Sequence, residues 1–472
     1  MMKSIKYIFL ILLVLGGLFS CSDDILDDIN KNPNSPTDVP ISLLLPHAIM
    51  NTIHGVSGNG AGTYASFFVE HATNVHLNQR LPENVSTTAW NRIYNNLNDL
   101  QTIIGKGSEG GSEEGQFTAV GIAKILYAYT LSVGTDLFGD MPHSEALQGS
   151  LNRTPAFDDQ QTIYTYLQQL LDQAIADLDK PSVGSIQRFD LIFDGNAGMW
   201  KKTAYALKAR LYNRLSGVDP AGSARDALDA LSSAYASPQE GWIFDGYLSG
   251  NTNDNPWTNW QKREQTFAVG KATVDLMRSL ADGNAAPDPR AERWFTRING
   301  EFVGAPSGQA QSDLTHSIYS APSTQTVLYD EAPQPMITYD EMKFIEAEAN
   351  LRLGNRAAAN AAYEEAVKEA MRRASVSSEG ISAYTRQATV FPGENALALE
   401  HIIEQKYLSF WMFQSLEAFN DYRRTGIPEM QNPQGTPLRL PYPVAEVNRN
   451  PNTPSEINNV TIYEIPVWWA QH

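Results

Sequence analysis

Residues 339–374 read YDEMKFIEAEANLRLGNRAAANAAYEEAVKEAMRRA, a pattern of two helices joined by a tight turn. Gly354-Asn355 separates the two halves, and glycine and asparagine are typical of the point where a helix ends. Ala349, Ala359 and Ala366 are small, so they stand where two helix backbones would approach closely. This stretch therefore predicts a packed helix pair.

The turn and the second helix of this pair follow a known repeat pattern. Four residues match the tetratricopeptide spacing, namely Gly354, Ala359, Tyr363 and Ala366. The first helix fits that pattern poorly, because Lys343 and Glu346 stand where large apolar residues are usual. The match favours helix pairs of the tetratricopeptide kind.

Apolar stripes at the helical period predict further helices from about residue 116 onward. Residues 161–180 carry the clearest stripe, with seven apolar positions at the 3.6-residue spacing: Ile163, Leu167, Leu170, Leu171, Ala174, Ile175 and Leu178. Residues 197–216 carry a second stripe. Residues 117–137 are apolar on most sides, which is typical of a buried helix. Residues 395–422 are predicted as the last long helix.

Three other segments have a loop-like composition, rich in Gly, Pro, Asn, Ser and Thr. They are residues 51–90, 240–335 and 425–472, and they hold one, four and two tryptophans, seven of the nine in the chain. Long irregular segments in a compact chain tend to carry function. The sequence therefore predicts a helical scaffold with a loop-rich, aromatic-rich face.

The overall composition limits the classes of function. The 472 residues carry 35 basic and 53 acidic side chains, a net charge of −18, and 42% hydrophobic residues. Such a composition is globular, and the acidic balance excludes the electrostatic attraction that drives nucleic-acid binding. Cys21 is the single cysteine, so a disulfide framework and a cysteine-based zinc site are both excluded.

The N-terminus has the features of an export signal. Lys3 and Lys6 precede an apolar run at residues 7–15, which is too short to span a bilayer. Cys21 then stands where a lipoprotein signal would place its cysteine. We predict a lipoprotein signal peptide over residues 1–20 and a lipidated Cys21 that begins an acidic, Asn- and Pro-rich tether over residues 21–40. An ordinary signal peptide with an incidental cysteine is the alternative.

No sequence motif for catalysis is present. The chain lacks a G-x-S-x-G nucleophile elbow, an H-E-x-x-H zinc helix and an EF-hand loop. The Gly-rich residues 57–62 lack the spacing of a nucleotide-binding loop. His401 and Glu404 could share one face of a helix. They are either metal ligands or an ordinary pair of side chains on the helix surface. We predict a protein without enzymatic activity, cofactor or metal. A catalytic carboxylate pair of the glycosidase kind could not be recognised by sequence among the 53 acidic residues.

Residues 251–260, NTNDNPWTNW, combine aromatic rings with amides. A sugar needs a flat ring to stack on its C–H face and amides to exchange hydrogen bonds with its hydroxyls. We therefore predict ligand binding by Trp257, Trp260, Asn253 and Asn255. A peptide backbone could be bound by the same chemistry, and the alternative role of the two tryptophans is to pin a long loop to the scaffold.

Five segments in order along the chain carry a resemblance to a known family. They read DINKNPNSPT (residues 28–37), DLFGDMPHSEAL (136–147), RTPAFD (153–158), EAFNDYRRTG (417–426) and RLPYP (439–443). Together they resemble the SusD/RagB family of nutrient-binding outer-membrane lipoproteins, nearest its SusD-like branch.

The resemblance implies a fold, a location and a role. The fold is mainly α, a single SusD-like domain over residues 41–472 with a tetratricopeptide-like helix-pair scaffold and a loop-rich, aromatic-rich ligand-binding face. The location is the outer membrane, lipid-anchored and facing the cell exterior. The role is to bind a nutrient oligomer, a glycan or alternatively a peptide, and to deliver it to a SusC-like TonB-dependent transporter. A surface hydrolase of glycans or peptides is the competing function. The family shows no fixed binding motif, so no site residue is transferred.

Overall fold

The computed structural model describes residues 38–58, 60–75, 83–250, 252–264, 267–281, 287–308 and 318–471. The predicted signal peptide, Cys21 and the tether as far as residue 37 lie outside the described residues. The predicted helix pair forms as two helices, Tyr339–Arg352 and Arg356–Arg373. Gly354 between them has a φ of +78°, a left-handed conformation that glycine adopts without strain.

The helices, numbered in chain order, are α1 (Ile41–Met50), α2 (Ala61–Phe68), α3 (Glu83–Gly107), α4 (Phe117–Phe138), α5 (Gln160–Leu178), α6 (Ala197–Arg214), α7 (Pro220–Leu231), α8 (Pro256–Glu264), α9 (Lys271–Ser279), α10 (Arg290–Trp294), α11 (Tyr339–Arg352), α12 (Arg356–Arg373), α13 (Ser378–Tyr384), α14 (Leu399–Ser409), α15 (Ser415–Thr425) and α16 (Val444–Arg449). The strands are β1 (Ala72–Asn74), β2 (Trp242–Phe244), β3 (Phe267–Val269) and β4 (Gln334–Ile337). Asn51–Gly58 continues α1 as a π-helical segment, and short 3-10 turns occur at Gly149–Leu151, Thr461–Tyr463 and Trp468–Ala470.

Side chains at the helix starts explain several of these boundaries. The Asp159 carboxylate accepts a hydrogen bond from the Thr162 backbone N–H at the start of α5. Asn196 does the same for Met199 at the start of α6. Asp219 caps α7, whose first residue is a proline. Each cap satisfies a backbone donor that a helix leaves unpaired in its first turn.

Neighbouring helices pack against one another and build the scaffold. α4 contacts α3 and α5, α6 contacts α5 and α7, and α11 contacts α7, α12 and α14. The apolar stripe predicted for residues 161–180 is buried, and Leu171 has no exposed surface. The prediction of a mainly α, tetratricopeptide-like scaffold is confirmed, and Ile41–His472 forms one compact unit.

α4 is the helix of the described residues that has the length and hydropathy of a membrane span. Its 18-residue apolar window is 83% buried within the structure. The side chains are covered by α3 and α5 on either side. α4 therefore occupies the position of a core helix.

Two predictions about secondary structure are wrong. Residues 51–90 are largely helical, not irregular, because the π-helical segment, α2 and the first turns of α3 fall there. Residues 395–422 form α14 and α15 rather than one long helix. Between these two helices Met412 has a φ of +67°, and a non-glycine residue in this region ends a helix.

Two short antiparallel strand pairs join distant parts of the irregular segments to one another. β1 pairs with β3, with Ala72 opposite Val269 and Asn74 opposite Phe267. β2 pairs with β4, with Trp242 opposite Ile337. The first pair joins residues 51–90 to residues 240–335, and the second brings the two ends of residues 240–335 together.

A network of buried ion pairs holds the scaffold helices together. Arg424 on α15 donates to both oxygens of Glu348 on α11, and both side chains are about 1% exposed. Arg210 on α6 donates to Glu341 on α11 at 2.6 Å. Arg214 donates to Asp136 at 3.1 Å. A charge buried in such a network is stabilised only while its partner remains, so the helices are locked in one arrangement.

Candidate functional site

The segment around residue 255 is positioned by a side chain that is itself buried. The amide oxygen of Asn255 accepts a hydrogen bond from the Trp257 backbone N–H at 2.9 Å and so caps α8. Its amide nitrogen donates to the Ala332 carbonyl at 2.8 Å, and its backbone N–H donates to the Asp330 carbonyl at 2.8 Å. Asn255 therefore joins α8 to the loop that precedes β4.

The two tryptophans of α8 differ in exposure. Trp257 is 1% exposed, and its ring centroid lies 6.1 Å from that of Phe267 and 6.0 Å from that of Phe413. Trp260 is partly buried between Tyr64 and Phe267. A fully covered ring offers no face to a ligand in this conformation, so the burial of Trp257 favours its role in pinning the loop.

The four predicted binding residues therefore divide into two kinds. Asn255 and Trp257 are buried and hold α8 in place, whereas the side chain of Asn253 is exposed and Trp260 is partly so. The structure brings all four to one end of α8. Ligand contact by these residues stays a prediction.

A cavity of about 660 Å³ lies beside α8. This α8 cleft is lined by Thr258, Gln261, Lys262, Thr296, Ala321, Pro322, Thr324, Leu328, Tyr329, Asp330 and Glu331. Thr258 donates to the Tyr329 carbonyl and Gln261 accepts from the Phe267 backbone, so both are occupied within the protein. The predicted segment thus borders a cleft, but through the residues that follow Trp257.

Lys262 at the rim of the α8 cleft is neutralised by two carboxylates. Its ammonium donates to Asp254 at 3.0 Å and also to Asp330. These hydrogen bonds raise the pKa of Lys262 and lower that of Asp330. The α8 cleft therefore presents hydroxyl and amide groups but little net positive charge.

A second cavity of about 260 Å³ is bordered by an indole pair. This tryptophan cavity is lined by Ile243, Arg293, Trp294, Thr326, Val327, Tyr329, Ala332, Pro333, Pro335, Arg373, Ala374, Ser375, Ser409, Trp411 and Phe413. The Trp294 and Trp411 rings are stacked, with centroids 5.1 Å apart and 18° between their planes. The Trp411 indole N–H donates to the His71 carbonyl at 2.9 Å, which fixes the ring.

Tyr329 borders both cavities, so the α8 cleft and the tryptophan cavity are neighbours. Sequence reasoning missed the second cavity. Its signal was present in part, since Trp294 lies in the aromatic-rich segment 240–335. Trp411 lies within residues 395–422, whose predicted single long helix gives no reason to place it beside Trp294.

Candidate metal ligands are not gathered in the described residues. No group of three or more His, Cys, Asp or Glu side chains could hold a metal ion there. His401, which was considered with Glu404, accepts a hydrogen bond from the Ala398 backbone N–H at 3.2 Å at the start of α14. This arrangement is a helix cap.

Comparisons with known proteins agree on the fold. The SusD-like family model, described as starch-binding and associating with the outer membrane, matches residues 33–443. A SusD/RagB family protein from Bacteroides thetaiotaomicron superposes with a TM-score of 0.79 at 28% identity, covering 92% of this chain and 99% of that one. A search of curated proteins finds no match.

Two more distant solved structures show the fold alone. A chitin-binding SusD homolog from Flavobacterium johnsoniae has a TM-score of 0.73 at 20% identity, over 90% of this chain and 98% of that one. A SusD homolog from Parabacteroides distasonis has a TM-score of 0.75 at 18% identity, over 91% of this chain and 98% of its own length. The same helical scaffold therefore persists at low sequence identity.

Proposed function

This chain belongs to the SusD-like family, and from that premise we propose that it is a cell-surface lipoprotein that binds a nutrient glycan and delivers it to a SusC-like TonB-dependent transporter. The observation that carries the proposal is the family match over residues 33–443, which includes both the scaffold and the irregular segments. The family is a nutrient-binding one, and one of the solved relatives is described as chitin-binding.

The two neighbouring cavities at Tyr329 are the proposed glycan site. The α8 cleft presents hydroxyls at its rim, and the tryptophan cavity presents aromatic surface. These two kinds of surface match the hydroxyl and C–H faces of a sugar ring. An oligomer is long enough to occupy both, so the site suits a chain of sugars better than a single one.

The four binding residues predicted from the sequence are proposed members of this site. Trp260 and Asn253 have exposed surface and are the candidates for direct contact. Trp257 and Asn255 would act indirectly, because they hold α8 against the loop at Asp330. This division gives the two tryptophans different expected phenotypes.

A peptide ligand and a hydrolase are the competing functions. Peptide backbones exchange the same hydrogen bonds as glycan hydroxyls, so a peptide remains the second candidate ligand. SusD-like proteins are binding proteins rather than enzymes, which argues against a hydrolase.

Co-purification and titration test the proposal together. Affinity capture of the full chain from native membranes in mild detergent should recover a large outer-membrane β-barrel in near-equal amount. The captured protein should bind at least one member of a panel of polysaccharides and release no shorter product. Recovery of a monomer alone would contradict the transporter complex, and turnover of a glycan or peptide would contradict a binding role.

Lipidation of Cys21 is tested by one substitution. Cys21→Ala removes the thiol that would carry the acyl chains, so the variant should leave the outer-membrane fraction and lose palmitate label. Cell fractionation and metabolic labelling measure both effects, and a Ser20→Ala variant, which keeps the thiol, is the matched control. A Cys21→Ala protein that stays in the membrane with unchanged label would contradict lipidation.

A further inference from the structure

The tryptophan cavity differs in charge from the molecule as a whole. Two arginines, Arg293 and Arg373, are among its lining residues, and no aspartate or glutamate is. The whole chain carries 53 acidic and 35 basic side chains. A lining whose charged residues are both basic is an electrostatic exception in an acidic protein and needs a physical reason.

Arg373 is held in place by the scaffold. Its guanidinium donates to both oxygens of Asp340, at 3.1 and 2.8 Å, and to the Ser409 carbonyl at 2.9 Å. Burial raises the pKa of Asp340, but the charge and hydrogen bonds of Arg373 outweigh burial and lower it. Asp340 thus stays ionised and offsets the charge of Arg373, which leaves that arginine a positioned donor with little net charge.

Arg293 has no such partner. Within the described part of the chain no carboxylate lies within ion-pair distance of it, and its Nε is buried without a hydrogen-bond acceptor. The neighbouring charges on and after α10 are already paired, Arg290 with Asp288 and Arg297 with Glu292. The Arg293 side chain is partly exposed, so its guanidinium at the cavity wall is accessible and has no carboxylate partner among the described residues. It can therefore pair with an anionic group of a ligand.

The backbone around Arg293 is nevertheless ordered by long-range contacts. Its carbonyl accepts a hydrogen bond from the Thr326 hydroxyl, and the Ser323 backbone N–H donates to the Trp294 carbonyl at 2.7 Å. Trp294 in turn stacks on Trp411. The unpaired cation therefore belongs to a built wall of the cavity, next to aromatic rings.

We propose that the tryptophan cavity binds an acidic group of the glycan, a carboxylate or a sulfate, through Arg293. This inference rests on the proposed glycan-binding function and specifies the ligand class. The planar fork of an arginine matches the two oxygens of a carboxylate or sulfate, and adjacent aromatic surface suits the sugar ring that carries it. The α8 cleft does not offer the same selectivity, because Asp254 and Asp330 neutralise Lys262.

Matched ligands that differ only in charge test this inference. Calorimetric titration of the full lipoprotein in detergent would use oligogalacturonate against its methyl ester, and a sulfated galactan oligosaccharide without uronic acid (a carrageenan fragment) against its desulfated form. At least one acidic member should bind ten times or more tightly than its neutral counterpart. Equal binding of the charged and neutral members would overturn the inference and leave the glycan-binding proposal standing.

Two variants locate the effect. Arg293→Gln should weaken binding of the acidic ligand about 10- to 100-fold, a loss of about 1.4 to 2.8 kcal/mol of binding free energy. Its affinity should then equal that for the neutral counterpart. Arg297→Gln is the control, because Arg297 is exposed, paired with Glu292 and outside the cavity lining. That variant should change the dissociation constant less than about twofold. Arg293→Lys keeps the positive charge but lacks the planar, two-donor guanidinium, so its affinity for the acidic ligand should be intermediate.

The remaining outcomes separate this inference from the proposed function. Thermal melts of each variant confirm that it is folded, and unchanged acidic-ligand affinity in a folded Arg293→Gln protein would overturn the role of Arg293. Binding of an acidic peptide, but of no glycan, would overturn the assignment to a sugar. Failure of every neutral and acidic glycan to bind would overturn the proposed function itself.

Discussion

The helical scaffold and the irregular face use charge in opposite ways. In the scaffold, Arg424 and Arg210 are buried and each is paired with a glutamate of α11. At the tryptophan cavity, Arg293 lies among aromatic and apolar residues without a carboxylate from the described chain. Arg424 and Arg210 therefore have carboxylate partners within the scaffold, whereas the charge of Arg293 has none in the described chain and is left for the proposed ligand.

Two of the five segments that carry the family resemblance contribute to the first region. Glu417, Asp421, Arg423 and Arg424, from the segment EAFNDYRRTG, lie on α15 and join the buried network. Asp136, from DLFGDMPHSEAL, lies on α4 and joins the same network. Burial raises the pKa of Asp421, but Lys406 and Arg424 outweigh burial and hold it far below its ordinary value. These two segments thus hold residues that stabilise the fold, which explains why they do not identify the ligand.

The largest effect is expected from a charge placed in the scaffold core. Leu171 on α5 has no exposed surface, so Leu171→Asp removes a packed side chain and buries an unpaired carboxylate. The combined cost is at least about 5 kcal/mol, comparable to the whole stability of a domain. Thermal unfolding and soluble yield measure it. Gln173→Asp, at an exposed position of the same helix, should change stability by less than about 0.5 kcal/mol.

An unchanged melting temperature in Leu171→Asp would mean that this side of α5 is not core. The scaffold would then lose the property that distinguishes it from the irregular face, and the register of α5 would be wrong.

An intermediate effect is expected at the boundary between the two regions. Trp257→Ala should cost about 3–5 kcal/mol of stability, as for other buried tryptophans, with unchanged affinity per folded molecule. Trp260→Ala should cost less stability, because its ring is partly exposed, and about 1–3 kcal/mol of ligand affinity. Melts combined with calorimetric titration distinguish the two.

The reverse pattern of stability and affinity losses would change which of the two tryptophans belongs to the binding site. A Trp257→Ala protein with near-normal melting temperature and lost affinity would place that ring in the binding site. A Trp260→Ala protein with full affinity would remove Trp260 from it.

The smallest effect is a pH dependence within the scaffold. Burial, reinforced by repulsion from Glu400, raises the pKa of Glu404 to about 7. The folded protein then holds this proton more tightly than the unfolded chain does, so stability falls as pH rises from about 4.5 to about 7. Glu404→Gln should remove this fall and be the more stable protein at pH 8. The gain is about 1 kcal/mol, because the partly exposed carboxylate is screened by solvent.

Chemical unfolding at pH 5 and pH 8 measures the effect. Parallel curves for the parent and Glu404→Gln at both pH values would show that Glu404 does not contribute to the pH dependence. The stability of the scaffold would then not depend on the protonation of Glu404, and its dependence on charge would come from the ion-pair network alone.

Most of the scaffold was predictable because its signal is local. The stripes at residues 161–180, 197–216 and 117–137 and the helix pair at 339–374 correspond to α5, α6, α4, and α11 with α12. α3 was missed, because its many asparagines and threonines are weak helix formers and its stability comes from packing against α4. The break between α14 and α15 was also missed, since the left-handed Met412 leaves no glycine or proline in the sequence to mark it.

Sequence alone was enough for the helical periodicity and the clustering of tryptophans in irregular segments, since each is a property of residues close together in the chain. It was also enough for the family membership, which depends on short segments in a fixed order along the chain and not on their contacts. The binding geometry required folding, because Arg293, Tyr329, Arg373 and Trp411 come from four separate parts of the chain and meet only at the tryptophan cavity. Folding also separated the two tryptophans of α8 into a buried anchor and a partly exposed ring. Their sequence context is the same and both rings pack against Phe267, so the difference arises from the second neighbour, which is Phe413 for Trp257 and Tyr64 for Trp260.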